Sequence, residues 1–315
     1  MEALKVVTGA GPVGWTVAAQ LAAAGHRARI LTRTGSGPEH PLVERWGVDV
    51  GEPTLFRNAM MGTDAVFHCI HASTYTAEAW RWELPGTEKN VLHAAGQAGA
   101  VVVFPESLYS YSSPSQIMTE RSPRKATGGT RGVRTMLLQA RAESATRTVS
   151  VVASGFFGPR VRKAHAGERM VARILAGRSL QFPGSADVPH TFSYVPDFAA
   201  AMIRAAETPA AWNQVVHALS LPAPSQRELA QAFATSAGVR PPWISTMPGW
   251  VVRAAGLVSG KMRELVETMY QFREPFIMES TASSALLGLE PTPLVRAAAE
   301  TVAWWRSPAS VLLPH

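Results

Sequence analysis

The feature that most constrains the fold of this chain is a glycine-rich turn close to its first residues. The apolar run LKVVT is followed by GAGPVG, which places Gly9, Gly11 and Gly14 in the spacing G-x-G-x-x-G. A helical pattern then runs from Val13 to Ala24, and a second apolar run, HRARILTR, follows it. A strand, a glycine turn, a helix and a strand within about 30 residues are typical of a dinucleotide-binding βαβ unit.

Each glycine has a physical role in such a turn. The first permits the tight bend, the second lets the backbone approach a pyrophosphate, and the third lets helix and strand pack closely. The pyrophosphate would lie at the helix N-terminus, where free N–H groups and the helix dipole favour negative charge. We therefore predict a cofactor contact made by Gly9, Gly11, Pro12, Val13 and Gly14.

The end of the second strand selects the nucleotide. An NAD site usually carries Asp or Glu there to hold the ribose 2′-hydroxyl. This chain has ILTRTGSG, with Arg33 and no carboxylate before Glu39. Arg33 can pair with a 2′-phosphate, and the hydroxyls of Thr32, Thr34 and Ser36 can hydrogen-bond it. We expect NADP(H) to be preferred over NAD(H); the alternative is that Arg33 is an exposed loop arginine.

Strand and helix patterns continue to alternate along the first half of the chain. Further strand-like runs lie around 47–50 and at 63–71, 100–107 and 148–158, with helical patterns at 86–98 and 130–144. Continuous apolar strands separated by helices predict an α/β fold with a doubly wound parallel sheet, the Rossmann architecture.

The pattern becomes less regular after Gly158. We expect a helix over 167–176, a helix near Asp197 with that residue as its N-cap, a late strand in NQVVHALS, and a helix capped by Ser225. The remainder suggests a smaller, mainly helical C-terminal substrate region. The predicted division is a dinucleotide-binding core over 1–160 and a substrate region over 161–315, of which the part around 190–220 returns to the core.

Composition limits the class of protein. Apolar residues make up 46% and charged residues 17% of the 315, which fits a globular fold. No run approaches the roughly 18 apolar residues of a membrane span, and the start leads directly into a strand, so a cytoplasmic protein without a leader peptide is expected. Cys69 is the single cysteine, which excludes an internal disulfide, and no cluster has metal-ligand spacing. The net charge of +7 comes mostly from scattered arginines, so no nucleic-acid partner is expected.

The order of motifs resembles the short-chain dehydrogenase/reductase superfamily, in its extended or atypical branch of NAD-dependent epimerase/dehydratase-like proteins. The resemblance extends over nearly the whole chain and rests on these segments in this order: GAGPVG, MMGTDAVFHCIHAS, EKNVLHAAGQAGAVVVFPES, SGFFGP, HTFSYVPDFAAAM and PTPLVRAAAETVAWW. It implies hydride chemistry with a Ser that holds the substrate oxygen, a Tyr that transfers the proton, and a Lys that acidifies the Tyr and binds the nicotinamide ribose.

This chain departs from that pattern at the proton donor. Ser107 lies four residues before Tyr111 and takes the place of the family's serine. The Tyr-x-x-x-Lys pair is replaced by Thr130 and Arg134, and the chain has no Tyr between Tyr111 and Tyr194. A threonine hydroxyl is a poor acid, while Arg134 keeps its proton and can still hold ribose or phosphate.

Three functions remain open. The first is an NADP(H)-dependent reductase or dehydrogenase of a small, largely apolar, carbonyl-containing metabolite, with Tyr109, or else His71, as the substitute proton donor. The second is a non-redox isomerase, cyclase or lyase that uses the same pocket. The third is a non-catalytic NADP(H)-binding regulator. By analogy with other Ala- and Arg-rich chains, the setting is bacterial specialised metabolism, and a homodimer is possible.

The resemblance also implies several contacts around the pocket. Ile70 and Phe156 are expected beside the cofactor, and Tyr111, His190 and Trp243 beside the substrate, with Trp250 as an alternative pocket wall. Cys69 is expected to be a buried, inert thiol.

Overall fold

The computed structural model describes residues 3–247 and 268–310. Its central element is a seven-stranded, entirely parallel sheet, whose strands are β1 (Leu4–Thr8), β2 (Ala28–Thr32), β3 (Val43–Gly47), β4 (Thr63–His68), β5 (Val101–Ser107), β6 (Thr148–Ala153) and β10 (Gln214–His217). Their order across the sheet is β10-β6-β5-β4-β1-β2-β3. The order reverses between β1 and β4, and ligands of open α/β sheets bind outside the carboxyl ends of the strands at such a point. The predicted α/β class and doubly wound parallel sheet are confirmed.

Helices cover both faces of the sheet. The helices are α1 (Pro12–Ala23), α2 (Pro53–Ala59), α3 (Ala77–Ala98), α4 (Gly129–Ala142), α5 (Arg173–Leu175), α6 (Val195–Glu207), α7 (Gln226–Ala237), α8 (Thr281–Leu287) and α9 (Leu294–Arg306). Alternate residues of β5 face the two layers: Val101 and Val103 pack with α1 and α6, whereas Val102 and Phe104 pack with α2 and α3. This double burial explains the continuous apolar runs in the sequence.

A second, smaller core lies in the C-terminal part. Phe182, Phe233 and Val302 are buried there at 2% exposure or less, together with residues of α5, α7 and α9. Two short parallel pairs border this core: β7 (Gly155–Phe157) with β9 (Phe192–Tyr194), and β8 (Leu180–Pro183) with β11 (Ile244–Met247). Ser225 caps α7 as expected and forms a full capping box with Glu228.

Two elements begin earlier than the sequence pattern predicted. The third strand occupies Val43–Gly47 rather than 47–50; as the edge strand it is largely exposed, so its apolar signal is weak. Helix α3 begins at Ala77 rather than at 86, because Thr76 caps it and Pro85 lies inside it. A proline weakens the helical pattern around it, and the first turns are held by the burial of Trp80 against α4.

Two further expectations were wrong in detail. Asp197 is not an N-cap: α6 starts two residues earlier, and the Asp197 carboxylate accepts hydrogen bonds from the backbone N–H and the hydroxyl of Thr292. The helix expected over 167–176 is a π-helical turn at Glu168–Ala172 that continues into the short α5.

Candidate active site

The glycine turn has the geometry that a dinucleotide requires. Gly9 has a φ of +88°, and a side chain on Gly14 would place its Cβ 2.0 Å from the Gly9 carbonyl oxygen. A Cβ on Gly11 would meet no atom within 4 Å. Gly9 and Gly14 are therefore required by the turn and by packing, whereas Gly11 leaves open space in front of the helix.

The N-terminus of α1 completes this cradle. Gly11 is the N-cap and provides no side-chain cap, and Pro12 is the first helical residue. Ile70 packs against Gly9, because its Cγ1 would be 3.2 Å from a Cβ built there. Val13 packs against the core from the first turn. Uncapped N–H groups of a helix favour an anion, so these residues fit a pyrophosphate.

The end of β2 is a small hydroxyl-lined loop. The backbone N–H of Ser36 donates to the Thr32 hydroxyl oxygen at 2.8 Å, and the Thr34 hydroxyl donates to that of Ser36 at 3.2 Å. The exposed Arg33 has no ion-pair partner among the described residues. Glu39 pairs instead with Arg45 at 3.3 Å. The loop thus carries an arginine without an ion-pair partner among the described residues, adjacent in sequence to the hydroxyl residues Thr32 and Thr34.

Ser107 is the last residue of β5 and is half-buried at the carboxyl edge of the sheet. Its backbone N–H donates to Oε1 of Glu106 at 2.7 Å, while its hydroxyl is 3.4 Å from that oxygen. A distance of 3.4 Å is long for an O–H···O hydrogen bond, so the hydroxyl remains free to find a closer acceptor.

Arg134 joins three elements of this edge. Its Nη2 lies 3.2 Å from Nε2 of His71, its Nε lies 3.5 Å from Oε1 of Glu106, and its guanidinium is 4.6 Å from the centre of the Trp80 ring. Its Nη1 has no hydrogen-bond partner in the described parts of the chain. Thr130, one turn earlier on α4, is buried at 3% exposure.

A buried ionic network of Arg141, Glu88 and Glu106 lies behind Arg134 in the interior of the protein. Arg141 donates to both oxygens of Glu88 at 2.6 and 2.7 Å and to Oε2 of Glu106 at 2.8 Å. Burial alone would lower the pKa of Arg141, but the two carboxylates reverse this effect and raise it. Glu106 therefore lies between two guanidinium groups, those of Arg141 and Arg134, and holds the end of β5 against α4.

His71 follows β4 and packs against two aromatic rings, although the residue as a whole is exposed. Its ring stacks on Tyr75 at 5.7 Å between centroids and meets the edge of Trp80 at 4.9 Å. Desolvation by these neighbours, and then the charge of Arg134, lowers the pKa of His71 to about 4. His71 is therefore neutral at pH 7, and its Nε2 accepts from Arg134 rather than carrying a transferable proton.

Tyr109 lies on a one-turn 3-10 helix, Leu108–Ser110, directly after β5. The Tyr75 hydroxyl donates to the Tyr109 hydroxyl at 2.5 Å. Arg131 fixes the turn, because its guanidinium donates to the carbonyl oxygens of Tyr109 and Tyr111 at 3.2 and 2.6 Å. The edge of the sheet thus brings together Ser107, Tyr109, His71 and Arg134, together with Tyr75, which the sequence analysis did not identify.

Other sequence-predicted site residues lie elsewhere. Tyr111 is buried in the main core at 1% exposure and its hydroxyl bonds Nε2 of His217. His190 is 1% exposed, and its ring stacks on Phe272 at 5.0 Å in the interior. Trp243 is 79% exposed. None of these three side chains is brought into the cluster at the end of β5.

Phe156 and Cys69 both pack against the main core. Phe156 is partly buried against the main core and packs on Phe198 at 5.2 Å. Cys69 is half-buried, and burial raises the pKa of its thiol. Trp250 lies outside the described residues. Residues 3–247 and 268–310 contain no group of three or more His, Cys, Asp or Glu that could hold a metal ion, and none of their helices is long and apolar enough to span a membrane.

The sequence matches the model of the NAD dependent epimerase/dehydratase family over residues 5–217. The chain belongs to this family. This assignment confirms the resemblance to the epimerase/dehydratase-like branch. No curated protein matches the sequence.

Solved enzyme structures share the fold over almost the whole chain. The UDP-glucose 4-epimerase of Thermotoga maritima, solved with UDP-glucose, has a TM-score of 0.74 at 16% identity, covering 96% of this chain and 98% of that one. The Bordetella bronchiseptica enzyme WbmH, solved with NAD+, has a TM-score of 0.75 at 17% identity and covers 98% and 99%. The UDP-glucuronic acid 4-epimerase of Bacillus cereus, solved with NAD, has a TM-score of 0.73 at 15% identity and covers 96% of both chains.

Proposed function

We propose that the protein is an NADP(H)-dependent oxidoreductase that reduces a small, largely apolar carbonyl compound or oxidises the corresponding alcohol. The observation that supports this proposal most strongly is the position of Tyr109 on the turn that directly follows Ser107 at the carboxyl end of β5, on the sheet edge that also carries the glycine turn. A proton donor, an oxygen-binding hydroxyl and a dinucleotide cradle are the three parts that carbonyl reduction needs.

The cofactor would be held by the turn and by the end of β2. Gly9, Gly11, Pro12, Val13 and Gly14 would bind the pyrophosphate through backbone N–H groups and close approach. Thr32 and Arg33 would bind a 2′-phosphate, and the free Nη1 of Arg134 would reach the nicotinamide ribose. Ile70 and Phe156 would supply apolar contacts.

The preference for NADP(H) rests on Arg33. The similar structures of WbmH and of the UDP-glucuronic acid 4-epimerase were solved with NAD. In this chain Arg33 is exposed and follows Thr32, whose hydroxyl accepts from the backbone N–H of Ser36, whereas Glu39 is engaged by Arg45. A site with a free guanidinium and no free carboxylate favours the nucleotide with the extra phosphate.

The bound nicotinamide would supply a hydride in the reductive direction. The Ser107 hydroxyl would donate a hydrogen bond to the carbonyl oxygen and orient it, which stabilises the negative charge that develops there. Tyr109 would then transfer its phenolic proton to that oxygen. His71 serves as an acceptor for Arg134 and fixes its orientation, and it is not the proton donor because it is neutral and its Nε2 is occupied.

The experiment is a deuteride-transfer screen. The protein is incubated with NADPH deuterated at C4 of the nicotinamide and a panel of apolar aldehydes and ketones, and deuterium in the alcohol products is measured by mass spectrometry. We expect transfer to at least one carbonyl, lowered about 10²- to 10⁴-fold in Tyr109→Phe and also lowered in Ser107→Ala.

Ser113→Ala is the matched control for the serine, since Ser113 is exposed on the loop that follows the turn. Its rate should equal that of the unchanged protein. If NADPH binds and no carbonyl acquires deuterium, the reductase function is wrong and a non-redox enzyme or a nucleotide-binding regulator takes its place.

A further inference from the structure

We propose that Tyr75 is a positioning residue for Tyr109, whose hydroxyl oxygen it holds and whose phenolate it stabilises after proton transfer. The catalytic part of this inference rests on the proposed reductase function. The hydroxyl pair itself does not, and the two can be tested separately.

The first support is the direction of the hydrogen bond between the two phenols. The Tyr75 hydroxyl donates to the Tyr109 oxygen at 2.5 Å. Because Tyr109 is the acceptor of this bond, its own O–H is free to donate to a substrate oxygen. A hydrogen bond from Tyr75 also favours the ionised form of Tyr109, since a donor to an anionic oxygen is stronger than a donor to a neutral one.

The second support is the anchoring of Tyr75. Its loop is tied to α3 at two points: Ser73 donates its N–H and hydroxyl to Glu83 at 2.8 and 2.5 Å, and Thr76 caps the helix by accepting from the N–H of Ala79. The ring itself meets Trp80 edge-on at 4.8 Å. The hydroxyl of Tyr75 is thus placed by several independent contacts rather than by its bond to Tyr109 alone.

The charged and titratable groups around the pair balance one another. They are His71 after β4, Glu83 on α3, Glu106 at the end of β5, Arg131 and Arg134 on α4, and Tyr270 on the 3-10 helix Met269–Phe272. His71 is neutral, and the carboxylates of Glu83 and Glu106 offset the guanidiniums of Arg131 and Arg134. Net charge therefore does not favour a phenolate here, and the hydrogen bond from Tyr75 is what stabilises it.

The proton balance of the step is complete. The hydride from the nicotinamide forms the new C–H bond and leaves an alkoxide; the Tyr109 O–H bond breaks, its proton goes to the alkoxide, and the electron pair stays on the Tyr109 oxygen. Tyr75 is 44% exposed whereas Tyr109 is half-buried. After the reaction the Tyr109 oxygen regains a proton through its hydrogen bond from Tyr75. Because Tyr75 is exposed, it then regains its own proton from water.

The hydroxyl pair is tested by carbon-13 NMR of protein labelled at the tyrosine Cζ. The chain has five tyrosines, so each signal can be assigned by a single Tyr→Phe replacement. The pH is raised while the Tyr109 signal is followed in the unchanged protein and in Tyr75→Phe. We expect Tyr109 to ionise at a pH about one unit higher in the variant, the loss of one hydrogen bond to a charged group.

Tyr194→Phe is the matched control, because it removes a tyrosine hydroxyl that donates to Glu300 in the C-terminal part. It should leave the Tyr109 titration unchanged. If Tyr75→Phe leaves the Tyr109 titration where it was, or moves it to lower pH, Tyr75 does not stabilise the phenolate and the inference is overturned.

The catalytic part is tested by kinetics on a carbonyl found in the deuteride screen. In Tyr75→Phe we expect kcat to fall about tenfold or more with KM within twofold, and the basic limb of the pH–rate profile to move to higher pH. An unchanged kcat and profile would overturn the positioning role even if the NMR shift is seen. If the unchanged protein transfers no deuteride at all, the proposed function fails, and the NMR titration alone then decides the hydroxyl pair.

Discussion

Arg141 donates to Glu106 at 2.8 Å inside the protein, with both side chains at 2% exposure or less. The same guanidinium donates two further hydrogen bonds to Glu88. Because Glu106 also contacts Arg134 and the Ser107 backbone, the buried network connects the interior of the fold to the candidate catalytic edge.

This network predicts a large loss of stability when one member is removed. Arg141→Ala leaves two buried carboxylates without their partner, so we expect the free energy of unfolding to fall by about 3–5 kcal/mol. Urea unfolding followed by circular dichroism measures it. Arg227→Ala breaks an exposed pair with Asp187, which solvent screens, so it should change stability far less than Arg141→Ala. Equal losses in the two variants would contradict the role of the buried network.

The glycine turn predicts a separation of stability from binding. Gly11→Ala adds a methyl group where no atom lies within 4 Å and at a φ of −65° that alanine accepts, so stability should stay within about 1 kcal/mol. NADPH binding should weaken at least tenfold, because the methyl group occupies the space of the pyrophosphate.

Gly14→Ala is the contrasting variant. Its Cβ would lie 2.0 Å from the Gly9 carbonyl oxygen, so the free energy of unfolding should fall by about 1–3 kcal/mol. NADPH binding should weaken as well, because the turn is distorted. The pair is measured by thermal unfolding and calorimetric titration. Unimpaired NADPH binding by Gly11→Ala would show that the nucleotide does not lie over this turn.

Tyr111 predicts a structural effect rather than a binding effect. Its hydroxyl bonds Nε2 of His217, whose Nδ1 bonds the backbone carbonyl of Glu279, all within the core. Tyr111→Phe leaves the buried imidazole nitrogen without its partner, so we expect a loss of about 1–2 kcal/mol in unfolding free energy with NADPH affinity unchanged. A variant of full stability that has lost turnover would restore Tyr111 as a substrate contact.

His190 predicts an acid-dependent loss of stability. Burial, and then the nearby His165, lowers the pKa of His190 from 6.5 to about 3. The native state keeps this ring neutral while the unfolded chain takes up a proton below pH 6.5. The unfolding free energy therefore falls as the pH is lowered from about 6.5 towards 3, by up to about 1.4 kcal/mol per pH unit from this group.

The variant His190→Phe checks this sign. Phenylalanine fits a site formed by Phe192, Phe272 and Phe276, so the variant should lose less stability than the unchanged protein between pH 6 and pH 4. Denaturant unfolding at pH 8 serves as the reference, since the ring is neutral there in both states. Parallel curves for the two proteins across this range would contradict the account.

The parts of the fold that sequence reasoning captured are those encoded locally. The glycine turn, the apolar strands β1, β4, β5 and β6, and the cap at Ser225 all depend on residues close together in the chain. The exposed edge strand β3 lacks an apolar signal, and Pro85 concealed the start of α3, so both were misplaced.

The candidate site was harder to predict because its contacts join residues far apart in the sequence. Glu106 meets Arg141 from 35 residues away and Glu88 meets it from 53, and no local pattern announces such pairs. Tyr75 could have been suspected, since it follows the end of β4 at the sheet edge where ligands bind. Tyr111 and His190 were expected in the pocket, but both lie in the interior. Their burial results from tertiary packing that no local sequence pattern indicates.

The most direct test of the account is a calorimetric titration of the protein with NADPH and, separately, with NADH. We expect NADPH to bind at least tenfold more tightly, and Arg33→Ala to lose that preference, while Arg45→Ala, whose guanidinium is paired with Glu39, retains it. Equal affinity for the two nucleotides, or a preference that survives in Arg33→Ala, would contradict the assignment of the β2 loop. Binding of neither nucleotide would contradict the proposed function as a whole.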